Sequence, residues 1–420
     1  MDNSNTYWDR ARARAAQMDQ SDPLRDVRDL FDLPADIIYL DGNSLGPAPK
    51  AVFAEIEKTA KTEWANDLIR SWNSADWFKL VEQYGDKLAK ILGADTGEVV
   101  ICDSTSINLY KALYGGLSLR PDRAVIVAET NSFPTDLYIT EGVAASRSDV
   151  KIRLEKEDED NIEDLIDEDV AVVLVNHVDY RSGKIRDMPA LTKIAHDAGA
   201  IIIWDLCHSA GILPVDLNGA KADLAVGCTY KYLNGGPGSP AYIFAAKRHI
   251  EAIGQPLSGW WGHANPFAFD VSYQKDRGIR KFLCGTQPIL SLRALKSGLE
   301  IYEKLDMRAV RTKSMTMTDM FIDLVDNSCG EFGIAIYSPR EASKRAGQVA
   351  LTFEHGYAVA QALIEQGVIG DFRAPNILRY GFSPLYNTYG EVCTAAASLN
   401  RIMKDRLWDQ ERFHKRLTVT

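Results

Sequence analysis

The sequence predicts an α/β protein with a mostly parallel sheet, helices on both of its faces, and a smaller α+β domain. Apolar runs of strand length alternate with helical segments through the middle of the chain, as in sheets whose strands are buried on both faces. Towards the carboxyl end the segments become more mixed. A chain of 420 residues has room for more than one domain.

Short runs rich in valine and isoleucine predict the buried strands. These runs lie at residues 124–128, 171–175, 201–204, 224–228 and 241–245. Residues 188–198 have helical spacing and are followed by Gly199, a residue suited to the left-handed end of a helix. Residues 289–305 predict a long helix. The alternation places each helix between two strands.

A change of pattern near residue 300 suggests the domain boundary. Residues 348–353 and 378–382 are shorter, mixed segments that suit a smaller α+β domain. We predict a large cofactor-binding domain over residues 45–300, and a smaller domain that combines residues 1–44 with 301–420.

Composition excludes several classes of function. A net charge of −10 disfavours nucleic-acid or anionic-membrane partners, which require a basic face. The six cysteines form no Cys-x-x-Cys pair, so no metal site is predicted. Apolar runs are too short to span a membrane, and the first twenty or so residues lack the apolar core of a secretory signal. We expect a reduced, cytoplasmic protein.

Polar residues follow the ends of two predicted strands, where ligands of open α/β sheets bind. Asp205 and His208 follow the strand at 201–204, and Lys231 follows the strand at 224–228, just before a glycine-rich turn. An aspartate and a lysine in one pocket suit a pyridine cofactor: the lysine forms an imine and the aspartate keeps the ring nitrogen protonated. Taken singly, the aspartate could cap a turn and the lysine could be a solvated charge.

A third cluster offers a phosphate site. Thr105 and Ser106 precede a helical stretch at residues 107–114, and hydroxyl and N–H groups at a helix N-terminus bind phosphate well. An ordinary Ser/Thr N-cap explains the same residues when they are considered alone.

Together these residues resemble the kynureninases, fold type I pyridoxal-phosphate enzymes related to the cysteine desulfurases. The resemblance extends from residue 39 to Arg379, and its most specific blocks are residues 39–46, 131–136, 204–211, 228–238 and 258–263. It implies pyridoxal 5′-phosphate as cofactor and a homodimer with active sites at the subunit interface. The implied cofactor-binding residues are Thr105, Ser106, Phe133, Asp136, Asn176, Asp205, His208, Tyr230, Lys231, Trp260 and Thr286.

Individual roles also come from the resemblance. Lys231 would carry the Schiff base, Asp205 would pair with the pyridine nitrogen, and Phe133 would stack on the ring. Asp136 would help to hold the ring, with His208 beside it. Thr105, Ser106 and Tyr230 would bind the phosphate. Trp260 and Thr286 would reach it from the neighbouring subunit; many relatives have asparagine where this chain has Thr286.

The resemblance implies L-kynurenine as the substrate, with 3-hydroxykynurenine as a second one. Arg379 resembles the arginine that grips the substrate carboxylate through two parallel hydrogen bonds, although a salt bridge between domains is the alternative. Ser44 and Trp72 match positions near the substrate. Trp64 and Trp261 are interpreted as packing residues.

The implied reaction is hydrolysis of the Cβ–Cγ bond, which yields anthranilate and L-alanine and serves tryptophan catabolism and NAD biosynthesis. The catalytic residues would be Lys231, Asp205 and Tyr230, with Tyr230 moving protons near the γ-carbonyl. The alternatives are a cysteine desulfurase, a class V aminotransferase and a non-catalytic cofactor-binding regulator. A desulfurase needs a cysteine on a mobile loop, and Cys329 is the loop-like candidate, which we interpret as structural.

Overall fold

The computed structural model describes residues 3–156 and 161–416. Its strands are β1 Ile38–Tyr39, β2 Val99–Ile101, β3 Val125–Glu129, β4 Lys151–Glu155, β5 Val170–Asn176, β6 Ile201–Asp205, β7 Leu224–Gly227, β8 Tyr242–Ala245, β9 Ala335–Ile336, β10 Gln348–Thr352, β11 Val368–Ile369, β12 Asp371–Arg373 and β13 Ile377–Gly381. Its helices are α1 Asn3–Ser21, α2 Ala51–Lys58, α3 Ser71–Ser74, α4 Leu80–Ile91, α5 Thr105–Ser118, α6 Pro134–Ser146, α7 Met188–Asp197, α8 Lys247–Ile250, α9 Ile289–Tyr302, α10 Met307–Cys329, α11 Gly356–Glu365, α12 Tyr389–Lys404 and α13 Glu411–His414.

A seven-stranded sheet in the order β2-β8-β7-β6-β5-β3-β4 forms the centre of the larger part. Neighbouring strands from β7 to β4 are parallel, and β8 runs antiparallel to both β7 and β2. Every residue of β5 and β6 is buried, which explains why their sequences are nearly continuous runs of β-branched residues. The predicted fold class is confirmed.

Local signals fix the ends of the helices that flank this sheet. Asp187 caps α7 by accepting a hydrogen bond from the Ala190 N–H at 3.0 Å, and Gly199 has a φ of +78° just beyond its end. Ser104 caps α5 in the same way, through the N–H of Ile107. The predicted helix at 289–305 is confirmed as α9, which ends at Tyr302.

A second, antiparallel sheet has the order β12-β13-β10-β9. It shares a separate buried cluster with α1, α10, α11 and α12, so that Trp8 of the first helix lies in the same core as Phe321. Leu40 lies in this second core, and α10 extends from the first core at Val310 to the second core at Met317. Two cores agree with two domains, but Leu24 and Tyr386 lie in the first core, so the boundaries at residues 44 and 300 stay a prediction. Residues 1–2 and 417–420 lie outside the described residues.

The described helices include no candidate for a membrane-spanning segment. Within the ranges described above, none combines the length and the apolar character needed to cross a bilayer.

Candidate active site

The carboxyl ends of β3, β5, β6 and β7 meet at one edge of the large sheet, where a cavity opens. It is lined by Asn43, Ser44, Thr105, Ser106, Phe133, Thr135, Asp136, Asn176, Asp205, Cys207, His208, Tyr230, Lys231, Arg373 and Arg379. Residues distant in sequence come together here because parallel strands deliver their C-terminal loops to the same edge. Of the predicted site residues, only Trp72, Trp260 and Thr286 are absent from this lining.

Lys231 lies between an imidazole and two aromatic rings. Its Nζ is 2.9 Å from His208 Nε2 and 5.9 Å from the ring centroids of both Phe133 and Tyr230. Burial lowers the pKa of His208 well below its ordinary value, and the charge of Lys231 lowers it further. The imidazole is therefore neutral near pH 7, so it adds no positive charge beside the lysine amine.

Two buried carboxyl groups line the opposite part of the cavity. Asp205 ends β6, and its Oδ1 accepts a hydrogen bond from the Cys207 N–H at 2.6 Å. Asn176 Nδ2 donates to Asp136 Oδ2 at 3.3 Å and to Ser132 Oγ at 2.8 Å. Burial and the nearby Asp205 raise the pKa of Asp136 well above its ordinary value. A cation placed between these carboxyl groups would relieve their repulsion.

The N-terminus of α5 forms another wall of the cavity. Thr105 and Ser106 are the first two residues of this helix, whose first-turn N–H groups and dipole favour an anion. Ser104 satisfies one of these donors, so the segment does contain an N-cap, while the phosphate site at Thr105 and Ser106 stays a prediction.

Glycine is required where the N-terminal segment crosses the lysine loop. The Gly46 N–H donates to the Tyr230 carbonyl at 2.8 Å. A Cβ at Gly46 would lie 2.4 Å from the Lys231 carbonyl oxygen and 2.3 Å from Asn234 Oδ1, distances that no side chain tolerates. This crossing explains why the block at residues 39–46 belongs to the same site as the lysine.

Tyr230 holds its proton strongly. The neighbouring Cys228 thiol and burial of the ring raise the pKa of Tyr230 above its ordinary value. The raised pKa keeps this phenol protonated near pH 7, where it can donate a hydrogen bond but is a weak acid, so its role in proton transfer stays a prediction.

Arg379 is buried at the other end of the cavity and already bonded. Its Nε donates to Asp371 Oδ1 at 2.9 Å, and its Nη2 donates to Asp371 Oδ2 and to Ser44 Oγ. Asp371 and Arg379 are cross-strand neighbours in β12 and β13, so this salt bridge lies within one sheet. The two parallel hydrogen bonds predicted for Arg379 are thus made to the Asp371 carboxylate in this structure, and binding of the substrate carboxylate by Arg379 stays a prediction.

Sequence reasoning missed four residues of the lining: Asn43, Thr135, Cys207 and Arg373. Asn43, Thr135 and Cys207 lie inside blocks that the sequence analysis singled out, next to or between assigned residues. Arg373 had no such signal, because it ends a strand of three residues.

Trp72, Trp260 and Thr286, the three predicted site residues outside the cavity, lie elsewhere in the chain, and two of them are in contact with each other. Trp72 belongs to an aromatic cluster with Trp77, Phe78, Trp260, Trp261 and Phe267. Trp260 is 39% exposed, and Thr286 is exposed in the loop before α9. Trp261 is fully buried in this cluster, as predicted, but Trp64 is 60% exposed, so its interpretation as a packing residue within one chain was wrong.

A buried lysine ties the Thr286 loop to the N-terminus of α5. Lys111, which is fully buried, donates to the Asp103 carboxylate and to the Phe282 carbonyl. The Asp103 N–H in turn donates to Gln287 Oε1 at 2.8 Å. The segment that carries Thr286 is therefore held in a fixed position relative to Thr105 and Ser106.

Cys329 does not lie on a loop. It is the last residue of α10 and is fully buried in the second core. Its interpretation as structural agrees with this position, whereas the loop-like description was wrong. Burial also raises its pKa, which disfavours the reactive thiolate.

Family models match two parts of the chain. The Kynureninase C-terminal domain model matches residues 310–399, and the DegT/DnrJ/EryC1/StrS aminotransferase family model matches residues 56–225. Curated proteins named Kynureninase are similar over nearly the whole chain. One from Burkholderia pseudomallei (strain 1106a) is 48% identical over 416 residues, which cover 98% of this chain and 100% of that protein. One from Pseudomonas fluorescens is 48% identical over 408 residues, covering 96% and 98%.

Solved structures with the same fold are more distant in sequence. The apo cysteine desulfurase from Thermococcus onnurineus NA1 matches with a TM-score of 0.76 at 23% identity, covering 90% of this chain and 98% of that one. A mutant of the cystine C-S lyase C-DES, solved with glycine covalently linked to its PLP cofactor, matches with a TM-score of 0.77 at 15% identity, covering 89% and 98%. These likenesses concern the fold alone.

Proposed function

Because the chain belongs to the kynureninase family, we propose that the cavity around Lys231 is its active site. The enzyme depends on pyridoxal phosphate and hydrolyses the Cβ–Cγ bond of L-kynurenine to anthranilate and L-alanine. One observation carries the site proposal: Lys231, Asp205 and the N-terminus of α5 line a single cavity.

The residues present fit pyridoxal phosphate. A lysine amine, a buried carboxylate, an exposed aromatic face and a helix N-terminus match the aldehyde, the ring nitrogen, the ring and the phosphate of this cofactor. His208 Nδ1 is buried and has no hydrogen-bond partner in the described part of the chain, which leaves a polar atom for a ligand in the cavity. When bound, the cofactor supplies an imine and a protonated ring that withdraws electrons from the substrate Cα.

Each residue then has a defined task. Asp205 would hold the proton on the ring nitrogen, and Asn176 would orient Asp136 beside it. Lys231, once released, would remove the Cα proton, aided by a neutral His208 that leaves the amine free to accept it. Tyr230, which lines the cavity beside Lys231, would transfer a proton near the γ-carbonyl as water adds there.

We further propose a cytoplasmic enzyme of tryptophan catabolism that contributes to NAD biosynthesis and also accepts 3-hydroxykynurenine. The acidic net charge of −10 and the reduced cysteines support the compartment. 3-Hydroxykynurenine differs from kynurenine by one hydroxyl group, so it needs the same contacts to its carboxylate and to the cofactor.

We also propose a homodimer in which Trp260 and Thr286 approach the partner's cofactor phosphate, and Trp72 its substrate. Large apolar side chains are unusually exposed in two segments: Phe53, Ile56, Trp64, Leu68 and Ile69 in the first, and Phe267, Phe269, Val271 and Tyr273 in the second. Apolar surface on this scale marks a protein interface. The aromatic cluster joins the neighbourhoods of the two segments, since Phe78 and Phe267 are 5.5 Å apart between ring centroids.

Changing Ile69 to glutamate should disrupt this dimer. Ile69 is 77% exposed in the isolated chain, so the change leaves the fold intact but places an unpaired charge in the proposed interface. We expect sedimentation equilibrium to give about twice 46.7 kDa for the unmodified protein and at least about tenfold weaker association for the variant. Tyr138→Glu, at a site 67% exposed on α6, is the matched control and should stay dimeric. A monomeric unmodified protein would contradict the proposal.

Cys329→Ala separates kynurenine hydrolysis from the desulfurase alternative. Because Cys329 is buried at a helix end, we expect alanine release from L-kynurenine to change by less than about twofold, although lost packing lowers the melting temperature. The measurement compares alanine formation from kynurenine and from cysteine, with anthranilate fluorescence as a second signal. Sulfur release from cysteine that disappears in the variant would favour the desulfurase.

A further inference from the structure

The guanidinium of Arg379 is almost fully engaged by the protein itself. Its Nε and Nη2 grip both oxygens of Asp371, Nη2 also donates to Ser44 Oγ at 3.0 Å, and Nη1 donates to the Tyr180 carbonyl. A guanidinium has five N–H groups, so one at most is left for a ligand. Arg379 and Asp371 are 1% and 3% exposed, and their charges cancel.

Arg373 lies on the same face of β12 as Asp371, two residues further along. Its Nη2 donates to Asp371 Oδ2 at 2.6 Å and lies 3.4 Å from Ser44 Oγ. Its Nε is buried and has no hydrogen-bond partner within residues 3–156 and 161–416. The side chain is 36% exposed and lines the cavity that contains Lys231. Arg373 therefore lines the site with unused N–H donors, whereas nearly all the N–H donors of Arg379 are already bonded.

The charges of this group favour the same conclusion. Arg373, Arg379 and Asp371 together carry one net positive charge, but without Arg373 the pair that remains is neutral. Asp41 is close enough to Asp371 that burial and this neighbour raise the pKa of Asp41 to about 7, so Asp41 adds negative charge at higher pH. Without Arg373, the pair of Arg379 and Asp371 would offer an incoming carboxylate no net attraction.

We propose that Arg373 is a second substrate-binding arginine, which supplies the net charge and free N–H donors that hold the α-carboxylate of the amino-acid substrate. Arg379 shares the contact and positions Asp371, which in turn orients Arg373. This inference rests on the proposed function of the cavity, and it extends it by dividing carboxylate recognition between two residues.

The test compares Arg373→Gln with Arg373→Lys in the cofactor-loaded enzyme. We expect the glutamine variant to raise KM for L-kynurenine by about ten- to a hundredfold, the range for a lost charged hydrogen bond, while kcat changes by less than about threefold. The lysine variant should recover part of the loss, because it restores the charge but not the planar fork. Arg412→Gln, at an arginine 57% exposed and paired with Glu365, is the control for loss of one positive charge.

A second readout distinguishes carboxylate binding from a structural role. 2-Aminoacetophenone has the aryl ketone of kynurenine but no α-carboxylate, so its inhibition constant should be unchanged in Arg373→Gln. An unchanged KM, or equal weakening of both ligands, would overturn the proposal. Failure of the proposed function looks different: the unmodified protein would then release no anthranilate or show no cofactor absorbance.

Discussion

Replacing Lys231 with alanine should abolish kynurenine hydrolysis while the protein stays folded. The amine lies in the cavity beside His208, and the loop around it is held by backbone hydrogen bonds, from Gly46 N–H to the Tyr230 carbonyl and from Asn234 N–H to the Lys231 carbonyl. Removing the side chain leaves these bonds in place. Loss of proton transfer alone costs about 10²–10⁴-fold in rate, and the lost covalent attachment adds to it. Anthranilate fluorescence measures the rate.

Two further variants show which property of the lysine matters. Lys231→Arg keeps the positive charge but cannot form the covalent bond, so it should be as inactive as the alanine variant. Lys193→Ala removes a lysine whose side chain is 74% exposed, and it should behave like the unmodified enzyme. After borohydride treatment with cofactor, mass spectrometry should find an adduct on residue 231 in the unmodified protein and the control only. An active Lys231→Ala enzyme would remove this lysine from the mechanism.

The large sheet was predictable because burial on both faces leaves a strong trace in sequence. Most residues of β5 and β6 are valine, isoleucine or leucine, and the residues at the ends of these parallel strands, Asn176 and Asp205, therefore lie at one edge. This geometric rule, together with the family blocks, accounts for the assigned residues that line the cavity. It works because parallel strands place their C-terminal loops side by side.

Short elements and tertiary packing limited the remaining predictions. Arg373 lies on a strand of three residues, too short for any periodic signal, and its importance depends on the cross-strand pair of Asp371 and Arg379. The sequence around Cys329 suggests a turn, but α10 continues to that residue because its buried face packs in the second core beside α12. Packing of this kind overrides local propensity.

An apolar side chain that is exposed in a single chain can be in contact either with solvent or with a partner subunit. Trp64 was interpreted as a packing residue, yet it is exposed near Leu68 and Ile69. Its apolar character fits burial against a second copy, which no pattern within one sequence distinguishes from burial within the chain. The same ambiguity applies to Trp72 and Trp260, whose proposed contacts lie across the dimer.

Asp205→Asn should leave the cofactor bound and slow the reaction by at least about a hundredfold, the loss typical of removing one preorganised electrostatic contact. Asparagine has nearly the same shape, and its carbonyl oxygen can still accept the Cys207 N–H bond that Asp205 Oδ1 accepts at 2.6 Å, so the fold should be unchanged. An amide, however, cannot hold a positive charge on the ring nitrogen, so Asp205 would no longer stabilise the electrons released at the substrate Cα. Single-turnover kinetics and the absorbance of the bound cofactor measure the two effects separately.

Asp136→Asn provides the matched control for this change, because Asp136 is a second buried carboxyl group on the same cavity. Burial and the charge of Asp205 raise the pKa of Asp136 well above its ordinary value, so Asp136 favours its neutral form, which an amide resembles more closely than it resembles a carboxylate. Its Oδ2 also accepts from Asn176 Nδ2, a bond that an asparagine carbonyl oxygen retains. We therefore expect a rate loss of less than about tenfold, far smaller than in Asp205→Asn. Equal losses in both variants would mean that the two carboxyl groups share the ring proton, and near-normal turnover in Asp205→Asn would exclude Asp205 as the residue that holds it.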